Sequence, residues 1–315
     1  MKRIHTVFFA VLFSLTVSGC SYANERSGES TAEKSNVIET AEKRIISPTA
    51  SNTAPVTEGP AYIDPAGAVL QERFITPEGY KRRQATQDSF EAFLRNYPMK
   101  QDKSSVLLYD GTEKGNQNAH EAVFSMHIEP EDFQQCADSV MRIYAEYLYG
   151  SGAYDKIRFH LVSGFMFDFN TWRKGNKLVI NGDNAAWGTN AANDSSPESF
   201  ERYLRILFAY ASTLSMQKES MQADISDLQI GDIFIKGGSP GHVVMVADVC
   251  ENEAGEKAFL LAQGYMPAQE FHILKNPLHQ DNPWYYVSEI TYPFVTPEYR
   301  FDEGSFRRPP YLNER

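Results

Sequence analysis

Basic residues are in short supply. The 315-residue chain holds 30 Lys and Arg against 41 Asp and Glu, for a net charge of -11. Phosphate backbones are met by basic surfaces, so this balance argues against nucleic acid as a partner and against electrostatic attachment to anionic lipid. Long apolar runs are lacking too. A spanning helix needs about 20 apolar residues, and the chain has no such run. His120, His127, His160, His242, His272 and His279 are dispersed, with no His-Glu-x-x-His or Cys-x-x-Cys spacing, so no metal site is expected. Neither a phosphate loop nor a dinucleotide glycine pattern is present, so no cofactor is expected. Cysteine is scarce, at three residues: Cys20, Cys136 and Cys250.

The N-terminus carries an address. Lys2 and Arg3 precede an apolar core from Val7 to Leu15, and Val17-Ser18-Gly19-Cys20 resembles the bacterial lipobox. Residues 1–20 are therefore expected to be a lipoprotein signal peptide, with Cys20 acylated as the new N-terminus. The expected location is the cell envelope, anchored by lipid; Ser21 favours the outer membrane. Residues 21–65 are rich in Ser, Thr, Ala, Glu, Asn and Pro without apolar period. Such a stretch cannot offset its ordering entropy, so it is expected to be a disordered tether. Residues 66–315 are expected to form a single globular domain.

Periodicity predicts helices over Phe90–Tyr97, Pro130–Tyr149 and Pro197–Leu214. In the second, Asp132 with Gln135 forms the expected capping box, and Phe133, Cys136, Val140, Ile143, Tyr144 and Tyr147 share a face. In the third, Tyr203, Leu207, Tyr210 and Leu214 form a stripe read as core. Strands are predicted over Ser105–Tyr109, Ala122–Ile128, Ile157–Val162, Lys257–Gly264 and Phe271–Lys275, in antiparallel order after a hairpin over Ile230–Val246. The fold class expected is α+β.

The hairpin is the most informative stretch. Gly237-Gly238 and Pro240-Gly241 make its turn, and His242 opens its second strand. An imidazole there is expected to be rigid yet reachable, as a catalytic base must be; the plainer alternative is a surface histidine in a loop. Cys136, near a helix N-terminus, precedes it, and Gln263, on the following strand, comes after it. A helix N-terminus favours a thiolate, an imidazole pairs with it, and a third polar group holds the ring. Cys136, His242 and Gln263 are thus the candidate catalytic residues. Gln135, Asp232 and Tyr265 are the candidates for meeting substrate. Asp248, taken to share the strand parity of His242, is a rival orienting group. Trp172, Trp187 and Trp284 either line a groove or, more simply, pack in the core.

Gly231, Asp232, Gly241, His242 and Val243 resemble the Gly-Asp strand and Gly-His-Val of NlpC-like and CHAP peptidases, which cut peptidoglycan peptides. That resemblance implies a papain-like arrangement, with the Cys-bearing helix packed on an antiparallel sheet or half-barrel and a mixed helical insertion over 157–214. A wider resemblance is carried by Gln134–Arg142, Ala145–Leu148, Gly237–His242, Ala262–Gln269, His272–Pro277, Pro283–Tyr285 and Thr296–Glu298. On these strings the chain is identified as a member of the bacterial domain-of-unknown-function family 4846, which implies no established activity.

Three functions follow as expectations. The first is a lipid-anchored cysteine amidohydrolase or peptidase acting on an envelope amide, with a cell-wall peptide as substrate. The second is a non-catalytic envelope lipoprotein that binds a glycan, peptide or protein. The third is a structural domain in which Cys136 and Cys250 are bridged.

Overall fold

Apolar alternation builds a sheet with two buried faces. In the computed structural model, residues 61–188 and 191–312 are described, and all belong to one unit, Thr57–Arg315. Among them is a nine-stranded antiparallel sheet. Its strands are β1 (Tyr80–Lys81), β2 (His120–Val123), β3 (Met221–Gln222), β4 (Ile233–Lys236), β5 (His242–Asn252), β6 (Lys257–Gln263), β7 (His272–Leu274), β8 (Tyr285–Tyr286) and β9 (Phe306–Arg308). The main path runs β2-β7-β6-β5-β4-β9-β3, with β1 added to β5 and β8 to β6. The chain is thus α+β around a large antiparallel sheet.

On one face, Ile233, Ile235, Val243, Met245, Ala247, Leu260, Ala262 and Ile273 join a large core. Helix α2 (Cys136–Gly150) contributes Val140, Met141, Ile143 and Leu148 to it, each at most 3% exposed. Each such side chain stabilises by about 1.5–3 kcal/mol relative to exposure. The other face carries Phe234, Val244, Val246, Phe259, Leu261 and Leu274, covered by Tyr285, Phe294, Phe301 and Phe306. Helices α1 (Phe90–Arg95), α3 (Pro197–Tyr210) and α4 (Thr213–Glu219) complete the first core, with paired strands at Arg158–His160 and Met166–Asp168, and at Leu178–Asn181 and Asn184–Trp187. No helix among the described residues is long and apolar enough to cross a membrane.

Several expectations need correction. The signal peptide, Cys20 and the tether as far as residue 60 lie outside the described residues. The tether's last positions are part of the fold, because their backbone groups find partners: Asp64 N donates to Arg73 O at 2.9 Å, and Ile75 N to Tyr62 O at 2.9 Å. Helix α2 starts at Cys136, not at Pro130, because long-range bonds hold 130–135 off the helical path. Asp132 Oδ1 accepts from Ala268 N at 2.6 Å and from Gln135 Nε2 at 3.1 Å. Gln134 Nε2 donates to His127 O at 3.1 Å while its Oε1 accepts from Arg142 Nε at 2.8 Å. The third predicted helix breaks at Ala211, whose ψ of 172° is extended, and Ser212 caps α4 anew. The stripe therefore splits: Tyr203 and Leu207 are buried, while Tyr210 and Leu214 are exposed. The stretch Ser105–Tyr109 makes single bridges, not a ladder.

Candidate functional site

Cys136 is the first residue of α2, with Gln135 as the cap. The capping interaction is not that of Asp132: Asp138 Oδ2 accepts from Gln135 N at 3.0 Å. The thiol thus sits where helical N–H groups lack intrahelical acceptors. Burial pushes it up to about 12, and Asp138 adds to the rise. Backbone groups of Val243, Ala137 and Cys136 itself act in the opposite direction. Asp138 is also buried, which lifts its own carboxyl to about 8. At neutral pH the thiol is therefore protonated in the resting protein.

The sulfur borders a cleft of about 230 Å³ whose lining includes Asp132, Gln135, Cys136, Thr213, Gly241 and Met266. Two glycines let the walls close up. A Cβ at Gly264 would lie 2.6 Å from Ser139 Oγ and 3.1 Å from Gln135 O, so the end of β6 lies directly on the start of α2. A Cβ at Gly241 would lie 2.4 Å from both Gly238 O and Thr213 Oγ1. The hairpin turn is thereby pressed against α4.

His242 opens β5, paired with Lys236. The imidazole is not reachable as expected: the residue is 2% exposed. Tyr265, Tyr299 and Phe301 lie over it, with ring centroids at 4.7, 4.9 and 6.0 Å. These come from the loop after β6 and from a two-stranded ribbon, Phe294–Val295 with Arg300–Phe301. Burial pushes the imidazole down to about 4, although its bond to Gln263 favours the proton. Nε2 lies 2.7 Å from Gln263 Oε1. An amide oxygen only accepts, so Nε2 carries the hydrogen and Nδ1 keeps the lone pair. Cys136 and His242 share no hydrogen bond among the described residues. Val243, one residue beyond the histidine, is the part of β5 whose backbone acts on the thiol.

The remaining candidates separate. Tyr265 stands against His242 and donates to Glu298 O at 3.4 Å. Gln135 lines the cleft. Asp232 does not: it lies four residues before Lys236, the partner of His242, hence about 13 Å along the strand. It accepts from Arg308 Nε at 2.7 Å and Gln229 N at 3.0 Å. Asp248 is not an orienting rival either. It pairs with Arg82 at 2.6 Å and Arg95 at 2.9 Å. The register shifts opposite Ala247, a β-bulge that turns Asp248 and Cys250 to the opposite face from His242. Cys136 and Cys250 are both free thiols. Cys250 lies seven residues beyond Val243, roughly 20 Å, which rules out a bridge. Trp172 and Trp284 are core residues, with Nε1 donated to Ser199 O and Ile75 O. Trp187 stacks on Phe167.

One grouping among the described residues, His127, Glu129 and Glu201, brings possible metal ligands within 4.8 Å of one another. Its carboxylates already face arginines: Glu201 meets Arg142 at 2.8 Å, and Glu129 lies 3.6 Å from Arg142 and 3.8 Å from Arg205.

Residue-by-residue reading missed the groups behind Gln263. Its Nε2 donates to Glu298 Oε2 at 2.7 Å and lies 3.4 Å from His272 Nε2. Glu298 in turn pairs with Lys114. The only signal was that Thr296–Glu298 and His272 fall in family-like strings. The chain belongs to that family: the profile of domain of unknown function 4846 matches residues 70–308. No curated protein and no solved structure matches the chain.

Proposed function

We propose that this member of family 4846 is a lipid-anchored cysteine amidohydrolase or peptidase of papain-like arrangement. It would be held in the bacterial cell envelope, at the outer membrane, through Cys20. Its substrate would be an envelope amide, first of all a cell-wall peptide. The observation that carries the reading is the 2.7 Å contact of His242 Nε2 with Gln263 Oε1: an amide oxygen only accepts, so the free lone pair falls on Nδ1, as a base for a thiol requires.

The chemistry would run as follows. Nδ1 of His242 takes the thiol proton as Cys136 Sγ attacks the amide carbon. The carbonyl oxygen becomes an oxyanion facing the N–H of Cys136 at the helix start, with the Gln135 amide beside it. The intermediate collapses, the C–N bond breaks, and His242 returns the proton to the leaving amine. Water then hydrolyses the thioester, which restores the thiol and releases the acid. Both groups start neutral, so the proton moves only as sulfur attacks. Tyr265 and Tyr299 keep water from the ring until substrate enters.

That neutral resting pair also favours a second reading, a non-catalytic lipoprotein that binds a glycan, peptide or protein in the cleft. One experiment separates the two. The full chain, Cys136→Ala and His242→Ala are each incubated with muropeptides, and new amines are followed by mass spectrometry. The enzyme reading expects cleavage by the wild type, reduced about 10³-fold or more in both variants. Cleavage that survives Cys136→Ala would sink it. So would muropeptide binding without cleavage, equal in wild type and Cys136→Ala, and the binding reading would replace it.

A further inference from the structure

Gln263 has two ends of the same shape, and either could face His242. What decides between them is a partner that cannot exchange donor for acceptor. Two such partners meet its Nε2. The Glu298 carboxylate, paired with Lys114, only accepts, and lies 2.7 Å away. His272 Nδ1 lies 2.8 Å from Glu270 O, a carbonyl that also only accepts. His272 Nδ1 therefore carries the hydrogen, and its Nε2 presents a lone pair to Gln263 Nε2 at 3.4 Å. Both hydrogens of the Gln263 amide are thus claimed, and Oε1 is left for His242.

These residues are all nearly sealed from water. Gln263 and His272 are 0% exposed, and the side chains of Lys114 and Glu298 are 7% and 10% exposed. A buried ion pair is weak grounds for stability, since an apolar pair of equal volume often does as well. Glu298 sits at the turn of the ribbon that also places Tyr299 on His242, and Tyr299 O closes that turn by accepting from Thr296 N at 2.9 Å. One short turn therefore supplies both the charge behind the glutamine and a ring over the imidazole.

We infer that Glu298, held by Lys114, is a positioning residue: through Gln263 it fixes His242 in the tautomer with hydrogen on Nε2 and the lone pair on Nδ1. Its catalytic meaning rests on the hydrolase reading; the tautomer itself does not. Glu298→Gln keeps the shape but places a group there that can donate as well as accept, so Gln263 is free to turn over. Lys114→Met removes the cation that holds the Glu298 carboxylate in place, so Gln263 Nε2 loses its fixed acceptor.

The test is ¹⁵N NMR of the full chain labelled at histidine, with His242 assigned by its loss in His242→Gln. Wild type is expected to show Nε2–H as the dominant form at pH 7. Both variants are expected to raise the Nδ1–H form to a comparable share. Alongside, muropeptide cleavage by Glu298→Gln is expected to fall about tenfold in kcat with KM unchanged. A His242 tautomer the same as wild type in the variant, or variants, that fold overturns the inference, whatever cleavage does. A changed tautomer in a protein that cleaves nothing supports it and sinks the hydrolase reading instead.

Discussion

Strand β5 carries two buried polar stations six residues apart, and they are built in opposite ways. At Asp248 the buried group is an ion met by two guanidinium groups, Arg82 and Arg95. At His242 it is a neutral ring met by a neutral amide, with the ion pair Glu298–Lys114 set one residue further back. Charge in direct contact ties β5 to α1 and the segment after β1. Charge at one remove leaves the imidazole neutral and directs its hydrogen. The first arrangement serves cohesion; the second is what a base needs. The two thiols follow the same division. Burial pushes both up to about 12, but only Cys136 borders the cleft and stands at a helix start.

Breaking the Asp248 station should have the largest effect. Asp248→Ala takes the buried carboxylate from Arg95, 3% exposed, and leaves it only the half-buried Glu91 at 2.9 Å. Urea unfolding is expected to show a loss of about 3–5 kcal/mol, the cost of breaking a buried ion pair by removing one partner. A loss under about 1 kcal/mol would show that the station is not cohesive.

The His242 station is expected to show itself in pH dependence. Its folded value of about 4 lies below the ordinary 6.5. Protons therefore bind the unfolded chain better. The contribution is fully present above pH 6.5 and is lost as pH falls from there towards 4. The difference amounts to about 3 kcal/mol at 1.36 kcal/mol per unit. Unfolding free energies of wild type and His242→Gln, compared at pH 7 and pH 4, should diverge by that amount, with the wild type losing more. Parallel profiles would mean the ring is not buried neutral.

The smallest effect is expected at the second thiol. Cys250→Ala should cost about 1 kcal/mol of stability, the ordinary price of a small core deletion, and should leave muropeptide cleavage unchanged. A loss of cleavage equal to that of Cys136→Ala would erase the distinction between the thiols.

The architecture was legible where the signal was local. The hairpin turn at 237–241, the antiparallel run of β4, β5 and β6, and the apolar face of α2 follow from alternation, helical period and glycine placement. The site was legible in part: order along the chain picked out Cys136, His242 and Gln263, and the structure joins the last two directly. It was misread wherever a distant partner decided. Asp132 looked like a cap but is held by Ala268 across 136 positions. Asp248 looked like a neighbour of His242 until one bulged residue reversed the faces. Asp232, taken for a substrate contact, is bound to Arg308.

The sequence by itself determined the α+β class and the family, because periodicity and short strings are properties of neighbours along a chain. The tertiary structure alone decided which polar groups are ions in contact and which are kept neutral. That choice depends on burial and on which donor or acceptor is brought within about 3 Å. Glu298 comes to Gln263 from 35 positions away, and no local pattern records such a meeting.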